Sequence, residues 1–192
     1  GKTVWIPRGT YRQGRKIKLE GVALSGEGMW LTNIIGTVEK GTWSGDMGFD
    51  LKGDRPAVRN LFFDSEAHTS RTTGGKPITG RPTNWLVENV WVSHTQTGIW
   101  MGGKSGVVRG CRIRSTYADG INMNSGASDN VIEHNHVRGS GDDGLAILSE
   151  TEKNNTMSKG NIVRFNTAIA TWWGHNCDLA GGSGHIVEDN WL

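Results

Sequence analysis

Three aspartates carry the chemistry for which this chain can be read. Asp119 stands in "YADGINM", and Asp142 and Asp143 stand in "GSGDDGLAI", so one Asp-Gly and one Asp-Asp-Gly fall in two look-alike segments. Carboxyl groups serve as general acids and bases, and as hard oxygen donors they hold Ca²⁺. Asp-Gly is also a common turn sequence. The choice among these depends on whether the surrounding elements bring the three side chains together.

Aligned on Val22, Leu61, Val90, Cys111, Asn135, Asn166 and Asn190, the chain repeats itself. Three residues before each anchor stand Leu19, Val58, Val87, Val108, Ile132, Val163 and Val187. Two after each stand Leu24, Phe63, Val92, Ile113, Val137, Ala168 and Leu192, again all apolar. Repeat lengths run from 21 to 39 residues, with insertions such as "SETEKNNTMSKG" at 149–160. That variation excludes a coiled coil. Just before the anchors come Gly21, Asn60, Asn89, Gly110, His134, Phe165 and Asp189. Most of these types tolerate a left-handed backbone, which marks a corner between short strands.

A second block, "TGIWM", "DGINM", "DGLAI" and "WGHNC", alternates with period two. It places Ile99, Ile121, Leu145 and His175 in one inward column and Met101, Met123, Ile147 and Cys177 in the next. Short strands, sharp corners and about two dozen residues per turn describe an all-β fold, a right-handed parallel β-helix whose coils stack ~4.8 Å apart. We take 1–192 as one such domain. A β-sandwich would need two-residue hairpins between alternating strands, whereas here Asp-Gly falls inside the unit. Stacking also predicts two ladders. Asn135, Asn166 and Asn190 should bond amide to amide, and Glu20, Arg59, Glu88, Arg109, Glu133, Arg164 and Glu188 should form one exterior column of alternating charge.

Counted from the anchors, Asp119 is eight after Cys111 and Asp143 is eight after Asn135, so the two should stand on adjacent coils with Asp142 beside them. Three like charges so close repel, and a plain turn has no use for that. A carboxyl cluster for acid/base work and a Ca²⁺ site both remain open. Glycosidic hydrolysis needs one carboxyl to protonate the leaving oxygen and another to activate water or attack. Sugar sites also use aromatic faces and amides. Trp100 and Asn122 fall on the outward column beside the cluster, and Trp172 and Trp173 follow one coil on. Phe62 and Trp91 form another outward column.

The remaining composition is permissive. The formal net charge is +2, and the basic residues Lys2, Arg8, Arg12, Arg15, Lys16 and Lys18 are interleaved with strand-like residues, as on a solvated edge, so no nucleic-acid partner is expected. No apolar run approaches the ~18 residues of a membrane span. Cys111 and Cys177 are too few for a disulfide framework. No signal peptide is present, and a start at Gly1 with a stop in mid-pattern at Trp191-Leu192 reads as a piece of a longer chain.

The opening "TVWIPRGTY" and "GVALSGEGMW" resemble the first coils of pectin-lyase-like β-helices. "ADG" followed by "GSGDDGLAI", with 23 residues from Asp119 to Asp142, is similar to glycoside hydrolase family 87, the α-1,3-glucanases (mutanases) and mycodextranases of secreted bacterial enzymes. That resemblance implies an exported enzyme, endo-hydrolysis of α-1,3-glucan with inversion, and no cofactor or metal for the chemistry. It implies Asp142 as general acid, with Asp119 and Asp143 as bases that hold the attacking water. We expect a monomer whose partner is an α-glucan polysaccharide.

Polygalacturonases share the Asp then Asp-Asp logic, and His175 in "WGHN" is reminiscent of their Gly-His-Gly. Here, however, Tyr117-Ala118-Asp119 replaces their Asn-Thr-Asp, and their Arg-x-Lys is absent. His175 on an inward column reads as a packed histidine and, failing that, as a substrate contact. Lyases of this fold would want Ca²⁺ and a basic residue flanking the cluster, and the sequence places none there. Outside enzymes, a tailspike-like or adhesin-like carbohydrate-binding β-helix would use the same aspartates as a Ca²⁺ site or as turns.

Overall fold

A computed structural model describes residues 1–36, 47–65, 75–149 and 156–192. The middle of the insertion at 149–160 therefore lies outside the described residues. The strands form three parallel sheets of eight, seven and seven, each strand pairing with the one three places earlier in the chain. This is the right-handed parallel β-helix implied by the repeat. One coil illustrates it: Val107–Arg109 in the first sheet, Arg112–Arg114 in the second, Ile121–Met123 in the third. Among the described residues no helix is long and apolar enough to cross a membrane.

The interior is a set of stacked columns. Leu24, Val58, Val87, Val108, Ile132 and Val163 line the first sheet, and Ile34, Phe63, Val92, Ile113, Val137 and Ala168 line the second, all buried. Ile78, Ile99, Ile121 and Leu145, with Met101, Met123 and Ile147, line the third. Short strands make little apolar face each, so a coil is stable only when both its faces are covered by neighbours.

Six successive coils turn from the first sheet to the second through a left-handed residue, as the corner pattern predicted. Asn60, Asn89, Gly110, His134, Phe165 and Asp189 all have φ between 52° and 62° at the corner between first and second sheets. Phe165 is the least suited to that conformation, and it lies stacked on His134, ring centroids 5.2 Å apart. Gly21 also has a positive φ, at 62°, but it turns a different corner, from the third sheet into the first. The first coil is thus out of register with the expected alignment: Leu24, not Leu19, pairs with Val58, and Leu19 pairs with Leu51 in the third sheet. The cause is an insertion. Glu27–Leu31 fills the corner that later coils turn with Asn60 and its equivalents.

The charge column accordingly starts at Arg59 and excludes Glu20, which pairs with Lys52. From there the alternation holds in register through Glu188. Glu88 reaches Arg109 at 2.6 Å and Arg59 at 3.9 Å, and Glu133 reaches Arg164 at 2.8 Å. The asparagine ladder is present as well. Asn135 Nδ2 donates to Asn166 Oδ1 and Asn166 Nδ2 to Asn190 Oδ1, each at 3.0 Å, while Asn135 Oδ1 accepts the Cys111 N–H. A second ladder runs from Asn130 to Asn161 at 2.9 Å and ends at His185. Both cysteines are free thiols.

Candidate active site

The aspartates sit where the corner after the second sheet feeds the third. Thr95 and Thr116 tighten that corner, their hydroxyls donating to Thr97 O and Ala118 O two residues on. The backbone ladder then runs coil to coil: Gly98 N to Asp119 O, Gly120 N to Asp143 O, Gly144 N to His175 O, at 3.1, 2.8 and 2.7 Å. Asp119 and Asp143 therefore occupy one column on adjacent coils, as the spacing predicted, and His175 is the third member. His175 is not the packed inward residue expected. Cys177, not His175, pairs with Leu145, and Leu179 pairs with Ile147, because the last coil is shifted by two residues against the "WGHN" alignment. Asn176 stands where the other coils have Gly120 and Gly144.

Gly174 answers a different need. A Cβ there would fall 2.6 Å from Asp143 Oδ1 and 2.7 Å from Asp142 Oδ1. The chain passes so close to the two carboxyl groups that only a bare Cα fits.

One oxygen from each of Asp119, Asp142 and Asp143 lies within 4.8 Å of the others. Asp119 and Asp143 are buried, and Asp142 is half-buried. Asp119 Oδ1 accepts the Asp143 N–H at 3.2 Å, and its Oδ2 accepts Asn122 Nδ2–H at 2.9 Å. Asp143 Oδ1 accepts the His175 N–H at 2.8 Å and lies 3.3 Å from His175 Nδ1, on a ring that is three-quarters exposed. His175 and Asp178 also make a second triad with Asp143 within 4.8 Å. The aspartate triad has the donors of a hard-cation site, and the imidazole triad those of a transition-metal site.

The expected sugar-contact residues divide. Trp100, Asn122, Ala146 and Asp178 do form one outward column. Trp100 lines a groove of about 470 Å³ with Asp50, Lys52, Arg81, Asn124 and Ser125, and the Lys76 ammonium lies 3.3 Å from its ring centroid. Lys52, Arg81 and Lys76 thus stand along the groove beside Trp100, whose lining includes none of the three aspartates. Asn122, by contrast, is fully buried and is bonded to Asp119 rather than open to a ligand. Trp172 and Trp173 are both 68% exposed. The Trp172 ring comes close enough to Gly141 that a Cβ there would sit 2.9 Å from it, one residue before Asp142. The Phe62 and Trp91 column lies on the second sheet, away from this face, with Trp30 edge-on to Trp91 at 4.2 Å.

The sequence pattern of the family described as alpha-1,3-glucanase catalytic domain D2 matches residues 1–191. The chain belongs to this family. Among solved structures, a variant catalytic domain of a GH87 alpha-1,3-glucanase in complex with tetrasaccharides is 28% identical, with a TM-score of 0.82 over 98% of this chain and 34% of that one. The Agl-KA catalytic domain is 26% identical, with a TM-score of 0.85 over 97% and 35%. The catalytic unit of a thermostable GH87 alpha-1,3-glucanase from Streptomyces thermodiastaticus strain HF3-3, 23% identical at a TM-score of 0.70 over 98% and 34%, shares the fold. The chain spans about a third of the length of these structures. No curated protein sequence matches it.

Within this family frame, sequence reasoning missed Gly174, Asp178, Asn124 and Ser125. Asp178 carried a usable signal, since it stands two residues beyond Asn176 as Ala146 stands two beyond Gly144. Gly174 is defined by a close approach between coils, which no spacing rule reports, whereas Asn124 stands two residues after Asn122 and so shared its outward face.

Proposed function

We propose that this chain supplies the reaction centre of an endo-acting hydrolase of α-1,3-glucosidic bonds. The observation that carries the reading is the convergence of Asp119, Asp142 and Asp143, from adjacent coils, within 4.8 Å. Family membership supports the substrate class, and relatives have been solved with tetrasaccharides and with nigerose. In the solved family 87 domains, the three aspartates exchanged for alanine are numbered 23 and one apart, as Asp119, Asp142 and Asp143 are here.

Asp142, the most exposed of the three, protonates the glycosidic oxygen as the C1–O bond breaks. Asp119 and Asp143 hold one water between them, take its proton and direct the oxygen to C1 from the opposite face. Exposed Trp172 and Trp173 and the groove beside Trp100 offer stacking faces for flanking glucose rings. His175, next to Asp143, contacts the sugar near the cleavage point. The chain works as one solenoid unit of an exported, monomeric enzyme, and the share of its relatives' length that it spans supports a longer whole.

A retaining mechanism has one observation in its favour. Inverting carboxyl pairs usually stand ~6.5–9.5 Å apart and retaining pairs ~5–5.5 Å, and here single oxygens of the three groups approach within 4.8 Å, which favours the shorter class. Proton NMR of the first reducing ends released from an α-1,3-glucan decides the matter. The β-anomer is expected, and the α-anomer would make one of the aspartates a nucleophile. The reaction itself is tested by reducing-end release from α-1,3-glucan, dextran and polygalacturonate. Activity on α-1,3-glucan alone, lost in Asp142→Asn with circular dichroism unchanged, is the expected pattern. A folded protein that cleaves none of them refutes the hydrolase reading and favours a binding module.

A further inference from the structure

We infer that Asn122 is a positioning residue for Asp119, and that Asn124 and Ser125 link it to the neighbouring groove. The inference rests on the hydrolase reading of the aspartate cluster and deepens it.

The groups form a directed hydrogen-bond relay. Ser125 Oγ–H donates to Asn124 Oδ1 at 2.7 Å, Asn124 Nδ2–H to Asn122 Oδ1 at 3.0 Å, and Asn122 Nδ2–H to Asp119 Oδ2 at 2.9 Å. Asn122 and Asn124 are 0% and 3% exposed, so neither amide has bulk water as an alternative partner. Buried amides in a chain fix one another's orientation, since each must present oxygen to one neighbour and nitrogen to the next. The Asp119 end sets the direction. An ionised carboxylate only accepts, so it turns the Asn122 nitrogen toward itself, and every link beyond follows. Both Asp119 oxygens meet N–H donors, Oδ2 from Asn122 and Oδ1 from the Asp143 backbone, and that arrangement suits Asp119 as the base and opposes its use as the proton donor.

The other end opens on the groove. Asn124 and Ser125 line it together with Trp100, Arg81 and Asp50. Their turn is rigidly made: Asn124 N–H bonds Met101 O, Asn124 O accepts the Ala127 N–H, and Ser125 takes a left-handed φ of 53°. A sugar hydroxyl that bonds Ser125 Oγ or displaces it from Asn124 changes the last link, and the change is felt at Asp119. Binding energy from a distant glucose ring is then spent on aligning the base, so it raises kcat rather than only lowering KM.

The test compares wild-type protein with Asn122→Ala and Ser125→Ala on α-1,3-gluco-oligosaccharides of increasing length. For Asn122→Ala, kcat is expected to fall about 10- to 100-fold with KM little changed. The acid limb of its pH profile moves to higher pH, because the charged carboxylate has lost a donor. For Ser125→Ala, kcat no longer rises with chain length. An Asn122→Ala enzyme that melts lower but keeps its kcat and pH profile would show a purely structural amide and overturn the inference. A Ser125→Ala enzyme that keeps the length dependence would overturn the link to the groove. Should Asn122→Ala not fold, Asn122→Ser, which keeps a donor at shorter reach, takes its place. A ¹³C carboxyl titration of Asp119 in both proteins needs no turnover: an upward shift in the variant supports positioning and its absence refutes it. Failure of wild-type protein to cleave any α-1,3-glucan would count against the functional reading alone.

Discussion

Replacing Gly174 by alanine separates the chemistry of the site from the stability of the fold. The added Cβ would lie 2.6 Å from Asp143 Oδ1, 2.7 Å from Asp142 Oδ1 and 2.7 Å from Asp143 N, whereas ordinary contact begins at 3.4 Å. The two carboxyl groups must each retreat by about 0.7–0.8 Å, and the contact with Asp143 N, a backbone atom tied to Asp119 Oδ1, is relieved only if the 174 segment or the Asp143 backbone also shifts. Gly174 has no left-handed φ, so alanine adds no backbone strain. A displacement approaching 1 Å at reacting groups costs about 10²-fold in rate, or about 2.7 kcal/mol of barrier. We expect kcat on α-1,3-glucan to fall about 100-fold, a larger loss than the accompanying fall in stability of about 1–3 kcal/mol from the backbone contact explains. Gly106→Ala gives the opposite signature. There the Cβ would lie 1.9 Å from Trp85 Cε2, in the core, so stability falls by about 1–3 kcal/mol or more while activity per folded molecule persists. A Gly174→Ala protein with wild-type kcat and an unchanged melt would show that the Asp142–Asp143 pair is not where the reaction occurs.

Asn135→Ala should lower stability by about 2–4 kcal/mol in urea titration, because the buried Cys111 N–H and Val108 C=O both lose a partner. Asn190→Ala, at the exposed end of the same ladder, should cost about 1 kcal/mol; equal losses would mean that the ladder is not graded by burial. Burial pushes the Cys111 thiol up to about 12 and the Cys177 thiol up to about 11. Neither should react with a thiol reagent at pH 8 until the protein unfolds. Between the ordinary value of 9.0 and those raised values, the unfolded chain releases protons that the folded chain keeps. Stability should therefore fall with rising pH in that window, and less steeply in Cys111→Ala.

The features that repeat were legible in the sequence, and the features made between coils were not. Asn60, Asn89, His134 and Asp189 advertise a left-handed corner because few other residue types adopt it cheaply, and the structure places all four there. Gly21 misled because two corners of the coil use the same conformation, and the sequence does not say which one a glycine turns. The Asn130–Asn161 ladder was readable in principle. Asp129-Asn130 and Gly160-Asn161 repeat the left-handed-then-Asn pattern of His134-Asn135 and Phe165-Asn166. Asn122 shows the limit of period two: alternation places its side chain on the outer face, but depth depends on what covers that face, here its bonds to Asp119 and Asn124. Gly174 was taken for the glycine of the repeat when its role is to clear space for two carboxyl groups.

The site is held by a register that it does not itself set. The charge and asparagine ladders lie along the first sheet and its corner with the second, and they lock the rise from coil to coil. The rise in turn fixes the backbone bonds that stack Asp119, Asp143 and His175. The aspartates are thus kept close despite their mutual repulsion, so removing one charge while keeping its shape should stabilise the fold. For unit charges near 5 Å apart, a pair costs about 1 kcal/mol in bulk water and about 3 kcal/mol at the effective dielectric of a partly buried site, and each kcal/mol relieved raises the midpoint by about 2–4 °C for a chain of this size. Asp142→Asn, at the most exposed of the three, is therefore expected to melt higher than wild type at a pH well above the carboxylate range, where the general acid too has given up its proton and all three groups are charged, while losing activity at every pH, as functional sites often trade stability for chemistry. A melting point that falls instead would refute net repulsion at the cluster and raise a cation shared by the carboxyl groups as the alternative. Ca²⁺ titration then decides: a rise in the wild-type midpoint that Asp142→Asn does not show would make the cluster a metal site, and no rise in either protein would leave the fall without that explanation.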